Sequence, residues 1–334
     1  MIVTRTPLRV SFIGGGSDLP AFLQTGNRGA VVSAAIDRYV YVTVSKNWRR
    51  DLIRASYSRT EVVVDPSKLR HDLIRESILS MEMGTGLEIT SVAEIPGKGT
   101  GLGSSSSYTV GLIHALGVYD DIKPPPVWLA DMACRVEIDR IGKPIGKQDQ
   151  YAVAFGGINY LCFNPNGRVD IAPLMITKET IRKLRKRLIL FHTKFKRWDD
   201  GILREQASNL VDKPESVEAT KKMVGLAFQA KEALEKGSLD DFGCMLHEAW
   251  KIKRTLSTHI SNPGIDNIYD RAMSAGAYGG KICGAGGGGF MLFYVPTAEA
   301  RASVIEKLKL RNIDVNYGVG GSQCVMDDRE MRNG

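Results

Sequence analysis

Several things are missing from this chain, and each absence closes a class of function. No stretch approaches the roughly 18 consecutive apolar residues that a membrane-crossing helix needs. The opening MIVTRTPLRVSF lacks the basic segment and unbroken apolar run of a secretory signal. A soluble, cytoplasmic protein without a membrane partner is therefore expected. Cysteine is sparse: Cys134, Cys162, Cys244, Cys283 and Cys324 are odd in number, scattered and free of C-x-x-C spacing. That pattern argues against a disulfide framework and against a structural zinc site. Aromatic residues are absent from the densest basic stretch, TIRKLRKRLIL, so it has nothing with which to stack bases. The formal charge of +8 then points to a small anionic partner rather than to nucleic acid. Ile181, Leu184 and Leu188 recur at helical spacing in that stretch, which leaves Arg182, Lys183, Arg185, Lys186 and Arg187 on a solvated face.

Two familiar phosphate-binding signatures are also missing. No G-x-x-x-x-G-K-[ST] occurs, which removes the P-loop class. GAGGGG at 284–289 has the glycine spacing of a dinucleotide fingerprint, but strand-like FMLFYV follows it where a helix must begin. DFG at 241–243 lies inside a helical pattern and has no H-R-D partner, so a protein-kinase reading fails.

A length of 334 residues is too great for one small core and suits two domains. The first hundred residues alternate short β-rich runs (VSFI, YVYVTV, EVVV, LEITSVAEI) with one helix-like stretch, SKLRHDLIRESILSMEM. Helices are expected over 104–117 and 125–141, then a strand at GINYLCF. Beyond the turn NPNGR come the strand LILFHT and helices near 199–210, 214–236, 239–258 and 264–276. KICGAGGGGFMLFYV, the helix AEARASVIEKLKL and a last strand complete the order. The fold class is α+β, with domains expected at 1–170 and 171–334.

The glycines concentrate between a strand and a helix. PGKGTGLGSSSSYTVGLIHAL places four glycines and four serines just before an apolar helical run. Strand, glycine loop, helix start: that order aims unpaired N–H groups and the positive end of a helix dipole back over the loop. Glycine permits positive φ and lets backbone N–H groups approach phosphate oxygens without a Cβ in the way. The segment is an anion site by construction.

GTGLGSSSS resembles the central nucleotide loop of the GHMP kinases (galactokinase, homoserine kinase, mevalonate kinase, phosphomevalonate kinase), written P-x-x-x-G-L-G-S-S-A. PLRVSFIGGGSDLP at 7–20 is similar to the family's first motif, and KICGAGGGGF at 281–290 to its third. The resemblance implies an N-terminal domain like ribosomal protein S5 domain 2, a ferredoxin-like C-terminal domain, and ATP bound between them. It implies nucleotide contacts from Gly99, Gly101, Leu102 and Gly103, with Ser104, Ser105 and Ser106 of the first helical turn. Two departures stand out: Ser106 and Ser107 replace small residues such as alanine, and Lys98 comes with an extra loop residue. GGG at 14–16 replaces the common G-E-H, which resembles the heptose-phosphate kinase and fucokinase branch.

The same resemblance distributes the chemistry. GKQDQ is similar to galactokinase's G-I-M-D-Q, so Asp149 is the expected acceptor-activating base. Arg9 aligns with the arginine near the acceptor oxygen, where it would stabilise charge developing in flight. Ser105 and Glu137 match the Mg²⁺ ligands, hard oxygens as that ion prefers. Substrate contacts are expected from Gly15, Gly16, Ser17 and Asp18 of the first motif and from Gly286 and Gly287 of the third. Arg197, clustered with Lys194 and Lys196 after a strand, is the expected partner of a substrate phosphate.

The function expected is ATP- and Mg²⁺-dependent phosphorylation of a sugar's anomeric O1, with D-glycero-D-manno-heptose 7-phosphate the leading acceptor. An L-fucokinase-like enzyme, another sugar-1-kinase and a non-catalytic ligand sensor are the alternatives. The partner is then a small sugar or sugar phosphate, and the protein a monomer or homodimer.

Overall fold

The computed structural model describes residues 1–95, 97, 99–195 and 201–328. The first half runs β1 (Ile2–Ile13), α1 (Pro20–Leu23), β2 (Gly29–Lys46), β3 (Ile53–Ser56), β4 (Thr60–Val63), α2 (Asp72–Ser80), β5 (Leu87–Ala93) and α3 (Ser104–Tyr119). It continues through α4 (Pro126–Cys134), α5 (Gln148–Phe155), β6 (Ile158–Phe163) and β7 (Val169–Pro173). The second half holds α6 (Lys178–Arg187), β8 (Leu188–His192), α7 (Gly201–Asp212), α8 (Pro214–Lys236), α9 (Leu239–Thr255) and α10 (Pro263–Ser274). After these come β9 (Gly279–Ile282), β10 (Phe290–Tyr294), α11 (Ala298–Leu308), β11 (Asn312–Ile313) and β12 (Gln323–Asp327).

Two sheets organise these elements. The larger is ordered β12-β1-β2-β5-β3-β4, with β6 and β7 joined to β2. The smaller is fully antiparallel, β11-β8-β10-β9. Numbered within its own βαββαβ run this is order 4-1-3-2, the ferredoxin-like arrangement. One core cluster takes side chains from both sheets, among them Leu8 and Val42 with Leu190, Leu292 and Tyr294. Position 170 falls inside β7, and β12 returns from the far end of the chain to pair with β1.

Local chemistry sets the boundaries. The expected single helix over 67–83 divides into a short 3-10 turn at Pro66–Lys68 and α2. His71 breaks the run because its Nδ1 accepts from Ile74 N at 3.4 Å and caps the new helix. The helical spacing through Leu188 also stops early. α6 ends at Arg187, and Leu188 opens β8 by pairing with Tyr294. Arg182, Lys183, Arg185 and Lys186 are exposed, as a solvated face requires. The helix expected over 125–141 is α only to Cys134, and Arg135–Arg140 form a π-helical turn. Ile141 N there donates to Val136 O, an i→i−5 bond. Such turns insert one residue into a helix and commonly mark functional sites.

The returning C-terminal segment is fitted where glycine is required. Gly156 closes α5 at φ +68°, and a Cβ on it would lie 2.1 Å from Gly321 N. Gly156→Ala is expected to lower stability by about 1–3 kcal/mol, from backbone strain alone. Urea unfolding measures the loss, and an unchanged midpoint would show that the segment packs loosely.

Candidate active site

A cavity of about 290 Å³ opens where the two sheets meet. One wall is the loop before α3. Gly99, Gly101 and Gly103 all have φ near +76°, the left-handed region that glycine tolerates. Gly103 caps α3 without a side-chain hydrogen bond, so the first-turn N–H groups remain available to an anion. The glycines serve a second purpose, since a Cβ on Gly101 would meet Cys283 O at 2.2 Å and one on Gly284 would meet Gly101 Cα at 2.7 Å. The central and third glycine-rich loops thus touch backbone to backbone.

Glu137, carried by the π turn, is fully buried beside the α3 start. Its Oε1 accepts from Ser105 Oγ at 2.8 Å and Lys143 Nζ at 2.7 Å. Its Oε2 accepts from Ser106 Oγ and Gln150 Nε2, each at 2.7 Å. Four donors account for the burial of a carboxylate that would otherwise be costly. Lys143 Nζ also donates to Ser105 Oγ at 2.7 Å. Ser105 and Glu137 therefore already turn their oxygens towards one cationic centre. Hydroxyl and carboxylate are hard donors, and Mg²⁺ at phosphate sites needs only one or two protein oxygens. The residues present fit that ion.

Arg9 and Asp149 form the other pole. Arg9, 4% exposed, donates from Nε to Asp149 Oδ1 and from Nη2 to Oδ2, both at 2.7 Å. Its Nη1 donates to Gly101 O at 2.6 Å, tying the carboxylate's orientation to the glycine loop before α3. The two-pronged pairing fixes the carboxylate plane and leaves further lone pairs on each oxygen.

Asp18 lies beyond, buried, accepting from Gln148 N at 3.1 Å, Gln148 Nε2 at 2.9 Å and Gly16 N at 3.2 Å. Burial, reinforced by the Asp149 charge and opposed by backbone hydrogen bonds, raises its carboxyl to about 6. Gly146 approaches so closely that a Cβ there would meet Asp18 Oδ2 at 2.1 Å.

Of the residues singled out from sequence, the cavity lining includes Arg9, Gly15, Gly16, Asp18, Gly99, Gly101, Gly103, Ser104, Ser105, Ser106, Glu137 and Asp149. Four lie elsewhere. Leu102 is a core side chain whose carbonyl accepts from Arg9 N. Ser17 is buried and bonds Gly14 O and Ala30 O, which fixes the turn after β1. Gly286 and Gly287 pack against Ile260, and their loop presents Gly284 and Ala285 to the cavity instead. Lys194 is exposed at φ +66°, while Lys196 and Arg197 lie outside the described residues.

Sequence reasoning missed Lys143, Gln148, Gln150, Gln206 and Lys253. Lys143 follows Glu137 by six residues and Gln148 and Gln150 flank Asp149, so proximity to the motif was a usable signal for those three. Gln206 and Lys253 arrive from α7 and α9, whose sequences read as ordinary amphipathic helices.

Two family models match the chain: the GHMP kinases N terminal domain over residues 71–157 and GHMP kinases C terminal over residues 230–314. The D-glycero-alpha-D-manno-heptose 7-phosphate kinase of Campylobacter jejuni is 32% identical, covering 89% of this chain and 91% of its own length. The bifunctional fucokinase/GDP-fucose pyrophosphorylase of Arabidopsis thaliana is 24% identical over 91% of this chain but only 30% of its own. Among solved structures, a D-glycero-D-manno-heptose 1-phosphate kinase from Bacteriodes thetaiotaomicron superposes with a TM-score of 0.79 at 24% identity. It covers 98% of this chain and 99% of that one. At that identity the likeness speaks for the fold alone.

Glu137→Gln replaces one acceptor of the four-donor cluster by a donor and leaves the Lys143 ammonium uncompensated. A stability loss of about 3 kcal/mol is expected, against about 1–2 kcal/mol for Ser105→Ala. Denaturant midpoints check the order, and a neutral Glu137→Gln would mean that the cluster is not what holds this corner. Asp18 supplies a pH test. Its folded value of about 6 exceeds the ordinary 3.8, so the native state binds the extra proton between them. The contribution of Asp18 to stability is therefore highest below pH 4, falls as pH rises through about 6, and stays at that lower level above. The difference between wild type and Asp18→Asn should change by about 3 kcal/mol across that window. A difference independent of pH would show that Asp18 titrates normally.

Proposed function

This chain belongs to the GHMP kinase family and is an ATP-dependent sugar kinase; we propose that it phosphorylates the anomeric O1 of D-glycero-D-manno-heptose 7-phosphate, giving the 1,7-bisphosphate. The observation that carries this reading is the Arg9–Asp149 pair, anchored through Gly101 to the phosphate loop. A kinase needs a group that orients or deprotonates the acceptor hydroxyl close to the transferring phosphoryl. The 32% identity to a heptose 7-phosphate kinase supports the choice of acceptor. So does the GGG form of the first motif, which leaves Gly15 and Gly16 as the cavity wall where G-E-H would set two polar side chains.

In the transfer step the sugar O1 attacks the γ-phosphorus, an O1–P bond forms and the P–O bond to ADP breaks. The O1 proton passes to a carboxylate oxygen of Asp149. Arg9 holds that carboxylate in place and stabilises charge as it moves towards the leaving ADP. Ser105 and Glu137 would hold Mg²⁺, which supplies neutralising charge to the phosphates. Asp18, oriented by Gln148, accepts hydroxyls of the sugar. A non-transferring sensor would be expected to lack the base or the metal carboxylate, and Asp149 and Glu137, the residues proposed for those roles, are both present and line the cavity.

Asp149→Asn should keep ATP binding and lose ~10²-fold or more in kcat, the scale of a general base. Near-normal turnover would make Asp149 structural. Coupled ADP release measured with the heptose 7-phosphate, free heptose and L-fucose tests the acceptor. Equal kcat/KM on L-fucose would favour the fucokinase-like reading.

A further inference from the structure

The cavity wall carries two side chains that neither proton transfer nor the metal site uses. Lys253 of α9 lines the cavity and is 5% exposed. Its Nζ donates to Gly284 O, the one hydrogen-bond partner it has among the described residues. Lys281 and Arg9 add like charge around it, offset in part by Asp18. The Asp18 oxygens, however, already accept from Gly16 N, Gln148 N and Gln148 Nε2. Gln206 of α7 lines the same cavity at 2% exposure, and its Nε2 has no hydrogen-bond partner among the described residues. It is held there by close packing, since a Cβ on Gly16 would lie 2.1 Å from that nitrogen.

A buried ammonium with a single carbonyl partner and a buried amide N–H with none both lower stability, and each calls for an explanation. Both groups only donate at the atoms concerned, so what they lack is an acceptor-rich and preferably anionic group. A phosphate monoester meets that description, with three terminal oxygens and up to two negative charges. The nucleotide's phosphates have their own wall, built from the α3 start, Ser105, Lys143 and Glu137. Gln206 packs against Gly16 of the first motif, and Lys253 lies close enough to Asp18 to feel its charge.

We propose that Lys253 and Gln206 form the subsite for the phosphate that the sugar acceptor already carries. This rests on the sugar-phosphate reading above and gives it two named residues. Burial also pushes the Lys253 ammonium well below the usual lysine range, so an arriving anion favours its charged form.

The test compares wild type with Lys253→Met, Gln206→Leu and Gln206→Glu, using the heptose 7-phosphate and free heptose at saturating ATP. The quantity read is the preference for the phosphorylated sugar, a ratio of two kcat/KM values. Lys253→Met should lower it ~10- to 100-fold, the range for one charged hydrogen bond. Gln206→Glu, which turns a carboxylate towards the phosphate, should lower it further than Gln206→Leu. Calorimetric titration with the sugar phosphate in the absence of nucleotide should show matching losses of affinity. An unshifted thermal midpoint establishes that each variant is folded, and the Gln206 pair keeps the test open should Lys253→Met fold poorly. Equal losses on both sugars would place Lys253 on the γ-phosphate, common to the two reactions, and overturn the assignment. An unchanged preference would also overturn it. A wild-type enzyme that treats the two sugars alike would remove the sugar-phosphate reading itself, a failure visible before any variant is compared.

Discussion

The site depends on two glycine-rich loops meeting with no side chain between them. Phe290 N donates to Thr100 O at 3.0 Å, and a Cβ on Gly289 would fall 2.4 Å from Gly99 O. With the Gly101–Gly284 contact, this brings a loop of the large sheet against a loop of the small one. Everything in the cleft follows from that approach. The first turn of α3 faces the cavity, Arg9 reaches Gly101 O while gripping Asp149, and Lys253 reaches Gly284 O from the other side. Glycine is needed at this junction for the backbone's own packing as well as for the phosphate contacts proposed for the loop, and these two demands together explain a density of glycine that anion binding alone would not require.

The cleft is organised at some expense of stability. Glu137 is buried behind four donors, Asp18 sits in a pocket that disfavours its charge, and Gln206 and Lys253 are short of acceptors. Groups held in place beforehand need not reorganise when charge develops in the reaction, which is where electrostatic catalysis gains most. A large shared core offsets these local costs.

How much of this was legible in the sequence depended on whether the signal was local. The phosphate loop, Arg9, Asp149 and Glu137 stand inside short stretches whose composition has a physical reason, so they could be named from the residues and from family resemblance. Much of the strand and helix order followed from periodicity, including the break between GAGGGG and β10, but β3, α5 and β7 were not among the expected elements. What escaped was non-local. The π turn that carries Glu137 looks like plain helix in sequence, because one inserted residue does not disturb an apolar pattern over six positions. Leu102, Ser17, Gly286 and Gly287 belong to motifs near the cleft, but adjacent residues in a loop point to different sides. Lys253 and Gln206 are polar residues on half-buried helix faces, where a sequence offers no hint of an open cavity beyond.

The pairing of β12 with β1 has a consequence for how the protein is made. Ile2 faces Asp327 across the sheet, so one edge of β1 finds its neighbour only after the rest of the fold has been synthesised. Until then that edge presents unpaired N–H and C=O groups, the kind of surface on which strands of other chains add. Contacts of such sequence separation also close slowly. The nascent chain therefore carries an unpaired edge on β1 until β12 has been made, and folding yield should respond to translation speed and chaperone supply more than the finished protein's stability would suggest.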